Sequence, residues 1–525
     1  MENRETVRSV EIYDTTLRDG AQGRGISFSL ADKLRIFSEL DQLGLSFIEG
    51  GYPSSNEKDQ QFFEALKKKG FSGAVPVAFG MTCRKGLIPE EDENLQFLLR
   101  AGTNVVTLVG KGRKLDVEKV LCVNLKENLR LIEGSCAFFK KRGLTVFFDA
   151  EHFFDGFKSD EDYALLTLAA AVNGGADKII LCDTNGGSLP SEVGQIIDQV
   201  KEVIDTPLGI HAHNDAGLAV ANSLTAVEHG VVQIQGTING YGERCGNTNL
   251  CSLVPTLLHK MKIGCISAFQ MACLTETSRL IAEIANLRHD ASQPYVGTNA
   301  FVHKAGLHWD GERKVDGCYQ HFNPGLVGNR SQAVVSELSG KAHIQAKARE
   351  FGLELSLPRI KTVLAELKRL ENDGLQFDGA DGSVELLMLR SQDGYSPPFE
   401  TLAFRTQVEN WSDRLGHEAN VRIKVGEEER HEISGGNGPV NALDRAMRKA
   451  LRPFFPKLDK IHLADFKVRI LKNGKRGTSS LIRVLIDFSC EENFWTIVGC
   501  STDIIQASFQ ALRDGIEYAI IKKFV

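Results

Sequence analysis

Residues 178–215 read KIILCDTNGGSLPSEVGQIIDQVKEVIDTPLGIHAHND and contain two short apolar runs on either side of a helix-like segment. The runs, Lys178–Cys182 and Leu208–Ala212, have the length and the apolar character of buried β-strands. The segment between them follows a candidate helix N-cap at Ser191 and repeats apolar residues at helical spacing. Because parallel strands are joined through a crossover helix, this stretch predicts a strand–helix–strand unit.

The same alternation occupies about the first 260 residues of the chain. The predicted strands are Val7–Tyr13, Ser46–Glu49, Ala74–Phe79, Asn104–Val109, Leu144–Asp149, Lys178–Cys182, Leu208–Ala212 and Val232–Ile238. Helical spacing fills the intervals, as in Leu30–Leu43, and Ser29 and Asp160 are further candidate caps. Eight strand–helix pairs within about 250 residues predict an α/β fold of the closed (β/α)8 (TIM) barrel type. An open doubly wound sheet is the alternative.

Reactive polar residues stand where the predicted strands end. A TIM barrel carries its active site on the loops that follow its strands, so these residues are expected to face one another. In strand order they are Asp14 and Asp19, Glu49, Asp149 and Glu151, Asp183 and Thr184, His211 and His213, and Asn239, Glu243 and Asn247.

The remainder of the chain predicts two further parts after a catalytic barrel at 1–265. Residues 266–398 are expected to hold a linker and small helical subdomains, with Gly and Pro residues concentrated near their end. Residues 399–525 contain a strand–strand–helix pattern twice, ending in the amphipathic helices Val440–Leu451 and Asp503–Ile520. This repeat predicts an α+β domain suited to binding or dimerisation.

The composition disfavours several function classes. The net charge of -6 offers no basic surface field for a nucleic acid. The polar N-terminus shows no secretory signal, and no run of about 18 apolar residues predicts a membrane span. The 11 cysteines form no CxxC pair, so we expect reduced thiols and a cytoplasmic location instead of a disulfide framework.

His211-Ala212-His213 predicts a metal site at the end of the seventh strand, although isolated pairs of this kind are often only structural. Alternation along a strand turns both imidazoles to the same side. Asp19, after strand 1, offers an anionic oxygen, and Asn247, after strand 8, offers a neutral one. Because strands 7, 8 and 1 are neighbours in a closed barrel, these donors converge. They suit Zn²⁺, Mn²⁺ or Mg²⁺ with open positions for a substrate.

Three motifs, in order along about 240 residues, carry a family resemblance. They are Tyr13–Gly20 (YDTTLRDG), His211–Asp215 (HAHND) and Gly240–Asn247 (GYGERCGN). The chain resembles the family of 2-isopropylmalate, homocitrate and citramalate synthases, whose superfamily includes hydroxymethylglutaryl-CoA lyases. Ala305–His308 is similar to that family's motif with a catalytic histidine, and residues 399–525 are similar to its allosteric domain. The resemblance covers essentially the whole chain.

Gly51–Asp59 and Phe148–Gly156 look most like the citramalate synthase branch of the family. That branch implies a Claisen condensation of acetyl-CoA with pyruvate and thioester hydrolysis, giving (R)-citramalate for isoleucine biosynthesis. The alternative is a 2-isopropylmalate synthase, which uses 2-oxoisovalerate for leucine biosynthesis. A lyase of the hydroxymethylglutaryl-CoA type is disfavoured because such lyases lack a C-terminal sensor of this size. A non-catalytic amino-acid sensor is disfavoured because the metal and acid–base positions are filled.

The resemblance also implies a role for each site residue. The implied ligands of a divalent metal are Asp19, His211, His213 and Asn247. The residues implied in holding the carboxylate of the 2-oxo acid are Arg18, itself a catalytic residue, and Thr184. The residues implied in acid–base catalysis are Glu151 and His308, with Tyr319 nearby.

Alternatives stay open at single positions. Glu151 is also suited to a salt bridge on the barrel rim, and His303 is the alternative to His308. The branch that uses pyruvate closes its acyl pocket with bulky apolar side chains, and Asp149 is a polar residue where an apolar wall is expected. The candidates for that wall are Phe79, Met81, Leu108 and Val109.

The resemblance further implies a homodimer whose C-terminal domain binds a branched-chain amino acid, isoleucine in the citramalate branch. Glycine turns at Gly435–Gly438 and Gly499 precede its two predicted helices. Helix N-termini present N–H groups that have no partner within the helix, so we expect them to accept the carboxylate of the effector.

Overall fold

The computed structural model describes residues 9–69, 73–303, 308, 311–312, 314–315, 317–333, 339–377, 379–411, 414–471 and 480–525. The sequence predictions for Val7–Arg8 and for Ala305–Leu307 lie outside these residues. The chain divides into two compact units. The first is Met1–Phe301 with Asn323–Arg330, and the second is Val302–Phe322 with Ser331–Val525.

The first unit is built on a closed barrel of eight parallel strands in the order of the sequence. The strands are β1 (Glu11–Asp14), β2 (Phe47–Gly51), β3 (Val75–Met81), β4 (Val105–Lys111), β5 (Thr145–Glu151), β6 (Lys178–Asp183), β7 (Leu208–Ala212) and β8 (Gln233–Gly236). The barrel closes where β1 pairs with β8, with Tyr13 opposite Gln235. The predicted TIM barrel is confirmed, and the open doubly wound sheet is wrong.

Helices connect successive strands, as parallel pairing requires. The connecting helices are α1 (Leu30–Gln42), α2 (Glu57–Lys69), α3 (Glu93–Ala101), α4 (Lys114–Asp116), α5 (Leu125–Lys140), α6 (Phe153–Ser159), α7 (Glu161–Asn173), α8 (Pro190–Val203) and α9 (Ala219–Glu228). Three more helices follow β8, namely α10 (Leu250–Pro255), α11 (Ala268–Met271) and α12 (Leu274–Ile284). Shorter 3₁₀ or π turns lie at Gly20–Gln22, Val117–Leu121, Ile238–Gly240, Thr256–Met261 and Pro324–Val327.

Two of the predicted helix caps are confirmed and one is wrong. Ser29 caps α1 by accepting from the backbone N–H of Asp32, and Asp160 caps α7. Ser191 caps nothing, because α8 begins one residue earlier, at Pro190. The fixed φ of proline suits the first helical position, where its missing N–H is not needed.

An apolar layer fills the lower part of the barrel. Its buried members, which project inwards from alternating strand positions, are Tyr13, Val77, Val105 and Phe147. Burying one such side chain contributes about 1.5–3 kcal/mol, so this layer is a firm floor for the polar residues above it. The polar part of the barrel interior begins at the Tyr13 hydroxyl, which donates to Glu49 Oε1 at 2.8 Å.

The second unit begins with helices and continues with antiparallel sheets. A short parallel pair joins β9 (Val302–His303) to β10 (Gln332–Ala333). Its helices are α13 (Lys341–Glu350), α14 (Leu357–Asn372), α15 (Asp381–Arg390), α16 (Pro439–Leu451) and α17 (Ile504–Ile521), with a 3₁₀ turn at Pro456–Lys460. One sheet contains β11 (Glu400–Trp411), β12 (Arg414–Val425) and β13 (Glu428–Gly435), and the other contains β14 (His462–Ile470), β15 (Ile482–Cys490) and β16 (Asn493–Ser501).

The predicted α+β repeat is confirmed, but each copy has three strands before its helix instead of two. The missed strands are β11 and β14, which lie at the edges of their sheets. Nearly all of β14 is exposed, so it lacks the alternation that marks a half-buried strand. The helices α16 and α17 share one core, in which Leu443, Met447, Leu512 and Ile516 are fully buried.

Within the described ranges, none of the helices combines the length and the apolar character needed to cross a lipid bilayer. All 11 cysteines fall in those ranges and none of them forms a disulfide.

Candidate active site

A cavity of about 310 Å³ opens at the carboxyl end of the barrel strands. The predicted site residues on its wall are Arg18, Asp19, Glu151, Thr184, His211 and His213. Asn247 lies beside them, because its backbone forms a β-bridge with that of His213. His308 and Tyr319 belong to the second unit.

Donor atoms suited to a metal ion are buried here without hydrogen-bond partners among the described residues. They are Asp19 Oδ2, His213 Nδ1 and Asn247 Oδ1. His211 Nε2 lies 3.6 Å from Asp19 Oδ2, and the rings of His211 and His213 have their centroids 5.1 Å apart. Leaving buried polar atoms unpaired costs free energy, so a ligand that accepts their lone pairs would stabilise the site.

The donors are not yet gathered around one point. Among the described residues, no group of three or more His, Cys, Asp and Glu side chains is arranged as a metal-binding cluster. Asp19 Oδ1 accepts from Arg18 Nη1 at 2.6 Å. Two imidazoles, one carboxylate and the Asn247 amide oxygen nonetheless form a donor set that fits a divalent cation by its chemistry.

The charge states of these groups follow from their burial and their neighbours. Burial opposes ionisation of Asp19, but Arg18, His211 and His213 together hold the pKa of its carboxyl below the ordinary value. Burial, with His211 next in importance, lowers the pKa of His213 to about 3. At neutral pH the cavity therefore presents a carboxylate beside an uncharged imidazole.

Arg18 is held rigidly at the cavity wall. Its Nε donates to Glu49 Oε2 at 2.5 Å, and its guanidinium carbon lies 3.8 Å from the centroid of the Phe79 ring. Burial acts to lower the pKa of Arg18, but Asp19 and Glu49 raise it above the ordinary value. A charged, planar guanidinium with donors to spare is suited to gripping a carboxylate.

Glu151 forms the rim salt bridge that was the alternative to a catalytic role. Lys111 Nζ lies 2.5 Å from Glu151 Oε2, and both side chains are partly exposed. The two residues stand opposite each other in the pairing of β4 with β5. This contact does not exclude catalysis, because a lysine beside a carboxylate also fixes its position within the cavity.

Among the described residues, the hydroxyl of Thr184 accepts one hydrogen bond and donates none. Its Oγ1 accepts from the backbone N–H of His152 at 2.8 Å. Arg244 donates through Nη2 to the Thr184 carbonyl at 2.8 Å and through Nε to Asp215 Oδ1 at 2.8 Å. These contacts fix the loop after β6, so the hydroxyl of Thr184 stands at a defined place on the cavity wall.

The rings of His308 and Tyr319 stack within the second unit, with centroids 4.4 Å apart and planes at 27°. Both side chains are exposed. His303, the alternative to His308, is half-buried, and its Nε2 lies 2.8 Å from Gln320 Nε2. Of the two histidines, His308 has the more exposed side chain.

Two of the four candidates for the acyl wall line the cavity. Phe79 and Val109 face it, whereas Met81 lines a neighbouring cavity of about 250 Å³. Leu108 is fully buried on the opposite face of β4, because strand residues alternate between the two faces. Tyr52, missed in the sequence, also lines the cavity and packs edge-on against Phe79.

Two strand-end carboxylates shape loops instead of the cavity. Asp14 accepts from the backbone N–H and the hydroxyl of Thr16, and burial raises its pKa to about 7. Asp183 likewise accepts from the backbone and the hydroxyl of Ser188. Each therefore terminates its strand, and neither is on the cavity wall.

Asp149, unexpected as part of an apolar wall, is buried in the cavity floor. Burial, followed by the charge of Glu49, raises the pKa of the Asp149 carboxyl well above its ordinary value. Asp149 accepts from Gln235 Nε2, and Gln235 Oε1 meets His211 Nδ1. The sequence analysis did not identify Gln235 as a site residue. The only signal for it in the sequence is its position on β8, where alternation turns its side chain into the barrel.

Comparison with known proteins gives three family matches. Residues 9–281 match the HMGL-like family, residues 295–374 the homocitrate synthase post-HMGL domain-like family, and residues 378–520 the LeuA allosteric (dimerisation) domain. An (R)-citramalate synthase of Geobacter sulfurreducens is 47% identical over 517 residues, covering 98% of each chain. Another, from Synechocystis sp., is 47% identical over 528 residues, covering 98% of this chain and 96% of its own. A probable 2-isopropylmalate synthase of Methanopyrus kandleri is more distant, at 31% identity over 97% of each chain.

Proposed function

Because the chain belongs to the HMGL-like family and, within it, to the (R)-citramalate synthases, we propose that it joins acetyl-CoA to pyruvate and releases (R)-citramalate and coenzyme A. Such an enzyme is an acyltransferase that converts the acyl group into an alkyl group on transfer, here at the start of isoleucine biosynthesis. The observation that carries this proposal is the cavity whose wall carries Arg18, Asp19, His211 and His213. The likeness to (R)-citramalate synthases extends over both units of the chain.

We assign a divalent metal, Zn²⁺, Mn²⁺ or Mg²⁺, to Asp19, His211, His213 and Asn247. When bound, such an ion supplies Lewis acidity that polarises the keto group of the 2-oxo acid. The support for this assignment is the set of buried donor atoms that lack hydrogen-bond partners among the described residues.

The carboxylate of pyruvate is assigned to Arg18 and Thr184. Glu49 and Phe79 fix the plane of the Arg18 guanidinium, so its remaining N–H groups are oriented before the substrate arrives. The Thr184 hydroxyl donates a further hydrogen bond. Together these residues orient the keto carbon for attack.

Glu151 and His308 are assigned as the acid–base pair, with Tyr319 assisting His308 through their stacked rings. A base removes a proton from the methyl group of acetyl-CoA, and the resulting enolate attacks the keto carbon of pyruvate. The new alkoxide takes up a proton. Water then hydrolyses the thioester, and coenzyme A leaves as the thiol, which makes the reaction irreversible.

Pyruvate is assigned in preference to 2-oxoisovalerate because of the acyl wall. Phe79 and Val109 border the cavity with bulky apolar side chains. The side chain of 2-oxoisovalerate carries two more methyl groups, which clash with a tight pocket. The runner-up activity is that of a 2-isopropylmalate synthase, and the more distant relative from Methanopyrus kandleri is a probable enzyme of that kind.

The C-terminal domain is assigned to regulation and to assembly of a homodimer, with isoleucine as the effector. Its match to the LeuA allosteric (dimerisation) domain supports this role. The free state of all 11 cysteines supports a cytoplasmic location. We assign no nucleic acid or membrane as a partner.

The direct test supplies the purified enzyme with acetyl-CoA and a panel of 2-oxo acids and measures release of free thiol. Pyruvate should give the highest kcat/KM, and the product should be (R)-citramalate by chiral chromatography. A higher kcat/KM with 2-oxoisovalerate would replace this proposal by the runner-up. No thiol release with any 2-oxo acid would refute the condensation itself.

A further inference from the structure

Gln235 lies between Asp149 and His211 in the interior of the barrel. Its side chain is fully buried, with Oε1 at 2.7 Å from His211 Nδ1 and Nε2 at 3.1 Å from Asp149 Oδ1. The three residues come from β8, β5 and β7. Gln235 stands directly opposite His211 in the pairing of β7 with β8, whereas Asp149 approaches from another part of the barrel wall.

The chemistry of an amide determines which nitrogen of His211 carries a proton. An amide oxygen only accepts hydrogen bonds, and an amide NH₂ group only donates them. Since the NH₂ group of Gln235 donates to Asp149, its oxygen faces His211, and Nδ1 of His211 must be the protonated nitrogen. A neutral imidazole has one N–H, so Nε2 bears the lone pair, 3.6 Å from Asp19 Oδ2.

We propose that Gln235 is a positioning residue that sets the tautomer of His211, and that Asp149 holds the Gln235 amide in the orientation this requires. The inference rests on the proposed function, because it concerns His211 as a metal ligand. A metal-binding histidine needs its other ring nitrogen to donate to an acceptor that fixes the ring. Gln235 provides that acceptor, and no motif of the sequence marks it.

The neighbouring glutamine on the same strand offers a matched control. Gln233 precedes Gln235 by two residues, so it faces the same side, and it is also fully buried. Its Nε2 donates to Glu11 Oε2 at 3.1 Å, towards the other end of the barrel. Replacing either glutamine by methionine keeps the length of the side chain and removes its hydrogen-bonding groups.

The experiment titrates the full-length, metal-free protein with Zn²⁺ in competition with a chromophoric chelator. The dissociation constant for Zn²⁺ should be about 10–100-fold higher in Gln235→Met than in the wild type. In Gln233→Met it should stay within threefold of the wild-type value. Gln235→Glu retains an oxygen acceptor opposite Nδ1 and should bind Zn²⁺ at least as tightly as the wild type. Activity of Gln235→Met should recover at saturating metal, which a defect in folding would not allow.

Wild-type affinity in Gln235→Met, with affinity lost in His211→Ala, would overturn this inference and leave the metal site standing. Equal affinity in His211→Ala and the wild type would instead refute the metal site of the proposed function. If Gln235→Met does not fold, Asp149→Leu tests the same relay, because it frees the amide of Gln235 to turn. Unchanged Zn²⁺ affinity in a folded Asp149→Leu protein would then contradict the role given to Asp149.

Discussion

Arg18 Nε donates to Glu49 Oε2 at 2.5 Å, inside a barrel where the Glu49 side chain is fully buried. The other oxygen of that carboxylate accepts from the Tyr13 hydroxyl at 2.8 Å. Glu49 is thus fixed from below by Tyr13 and in turn fixes the guanidinium of Arg18. This relationship makes the anchor for a substrate carboxylate rigid before any substrate binds.

Removing the charge of Glu49 should therefore weaken binding of the 2-oxo acid. In Glu49→Gln we expect the KM for pyruvate to rise about tenfold, since a hydrogen bond to a charged group is worth about 1.5–3 kcal/mol. The KM for acetyl-CoA should change much less. The control is Glu11→Gln. Glu11 is the first residue of β1, and this substitution weakens its ion pair with Lys178. A lower melting temperature with an unchanged KM for pyruvate would mean that Glu49 is structural only.

Loss of either strand-7 histidine should remove the metal. His211→Ala and His213→Ala are each expected to lower kcat by at least about 100-fold and to abolish stoichiometric binding of a divalent cation, measured by elemental analysis. His229→Ala, which removes a histidine paired with Asp198 outside the cavity, should keep both properties. Near-normal turnover of either strand-7 variant after chelator treatment would disprove the assignment.

The two roles of Glu151 predict different results. If Glu151 transfers protons, Glu151→Gln should lower kcat by about 10²–10⁴-fold and suppress solvent exchange of the acetyl-CoA methyl protons. Lys111→Met breaks the same salt bridge but should cost less than tenfold, because the carboxylate remains. Equal losses in the two variants would reduce Glu151 to a rim ion pair. His308→Ala should resemble Glu151→Gln in the exchange experiment.

Widening the acyl wall should change substrate choice. Val109→Ala removes bulk from the cavity wall, so we expect the ratio of kcat/KM for 2-oxoisovalerate to that for pyruvate to rise about tenfold or more. Val106→Ala is the matched control, because Val106 is fully buried on the opposite face of the same strand. A rise of the same size in Val106→Ala would show that the effect comes from loosened packing.

The effector should bind the full-length protein and stabilise it. We expect millimolar isoleucine to inhibit the enzyme and to raise its melting temperature, with D-isoleucine as the inactive control. If neither isoleucine nor leucine inhibits the enzyme or raises its melting temperature, the sensor role is contradicted. The test uses the full-length protein because Val384 and Met388 of α15 share a core with Val498 of β16. A truncation near residue 395 would remove Val498 and expose that core.

The structure also corrects where an effector carboxylate would bind. The N-terminus of α17 is already capped, since the carboxylate of Asp503 accepts from the backbone N–H groups of Ile505 and Gln506. Gly499 lies within β16 and packs closely against Ala507 of α17, where a Cβ atom would clash. Of the two helix N-termini predicted to bind the effector carboxylate, the N-terminus of α16, after Gly435–Gly438, thus remains.

The sequence by itself determined the barrel and the identity of its chemical groups. Eight strand–helix alternations specified the closed parallel sheet. Each alternation can be recognised locally, from the spacing of apolar residues within its strand and helix and from the polar residues at the strand end. The His211-Ala212-His213 spacing placed both imidazoles on one face for the same reason, and both line the cavity. The motifs that carry the family resemblance are equally local.

Only the tertiary structure decided which side chains meet across strands. Glu49 beneath Arg18, Lys111 opposite Glu151 and Gln235 between Asp149 and His211 all depend on strand register. The edge strands β11 and β14 depend on pairing in the same way, since their exposed residues show no pattern. Register is a relation between segments far apart in the chain. It is set by the closure and twist of the whole sheet, which no local pattern encodes.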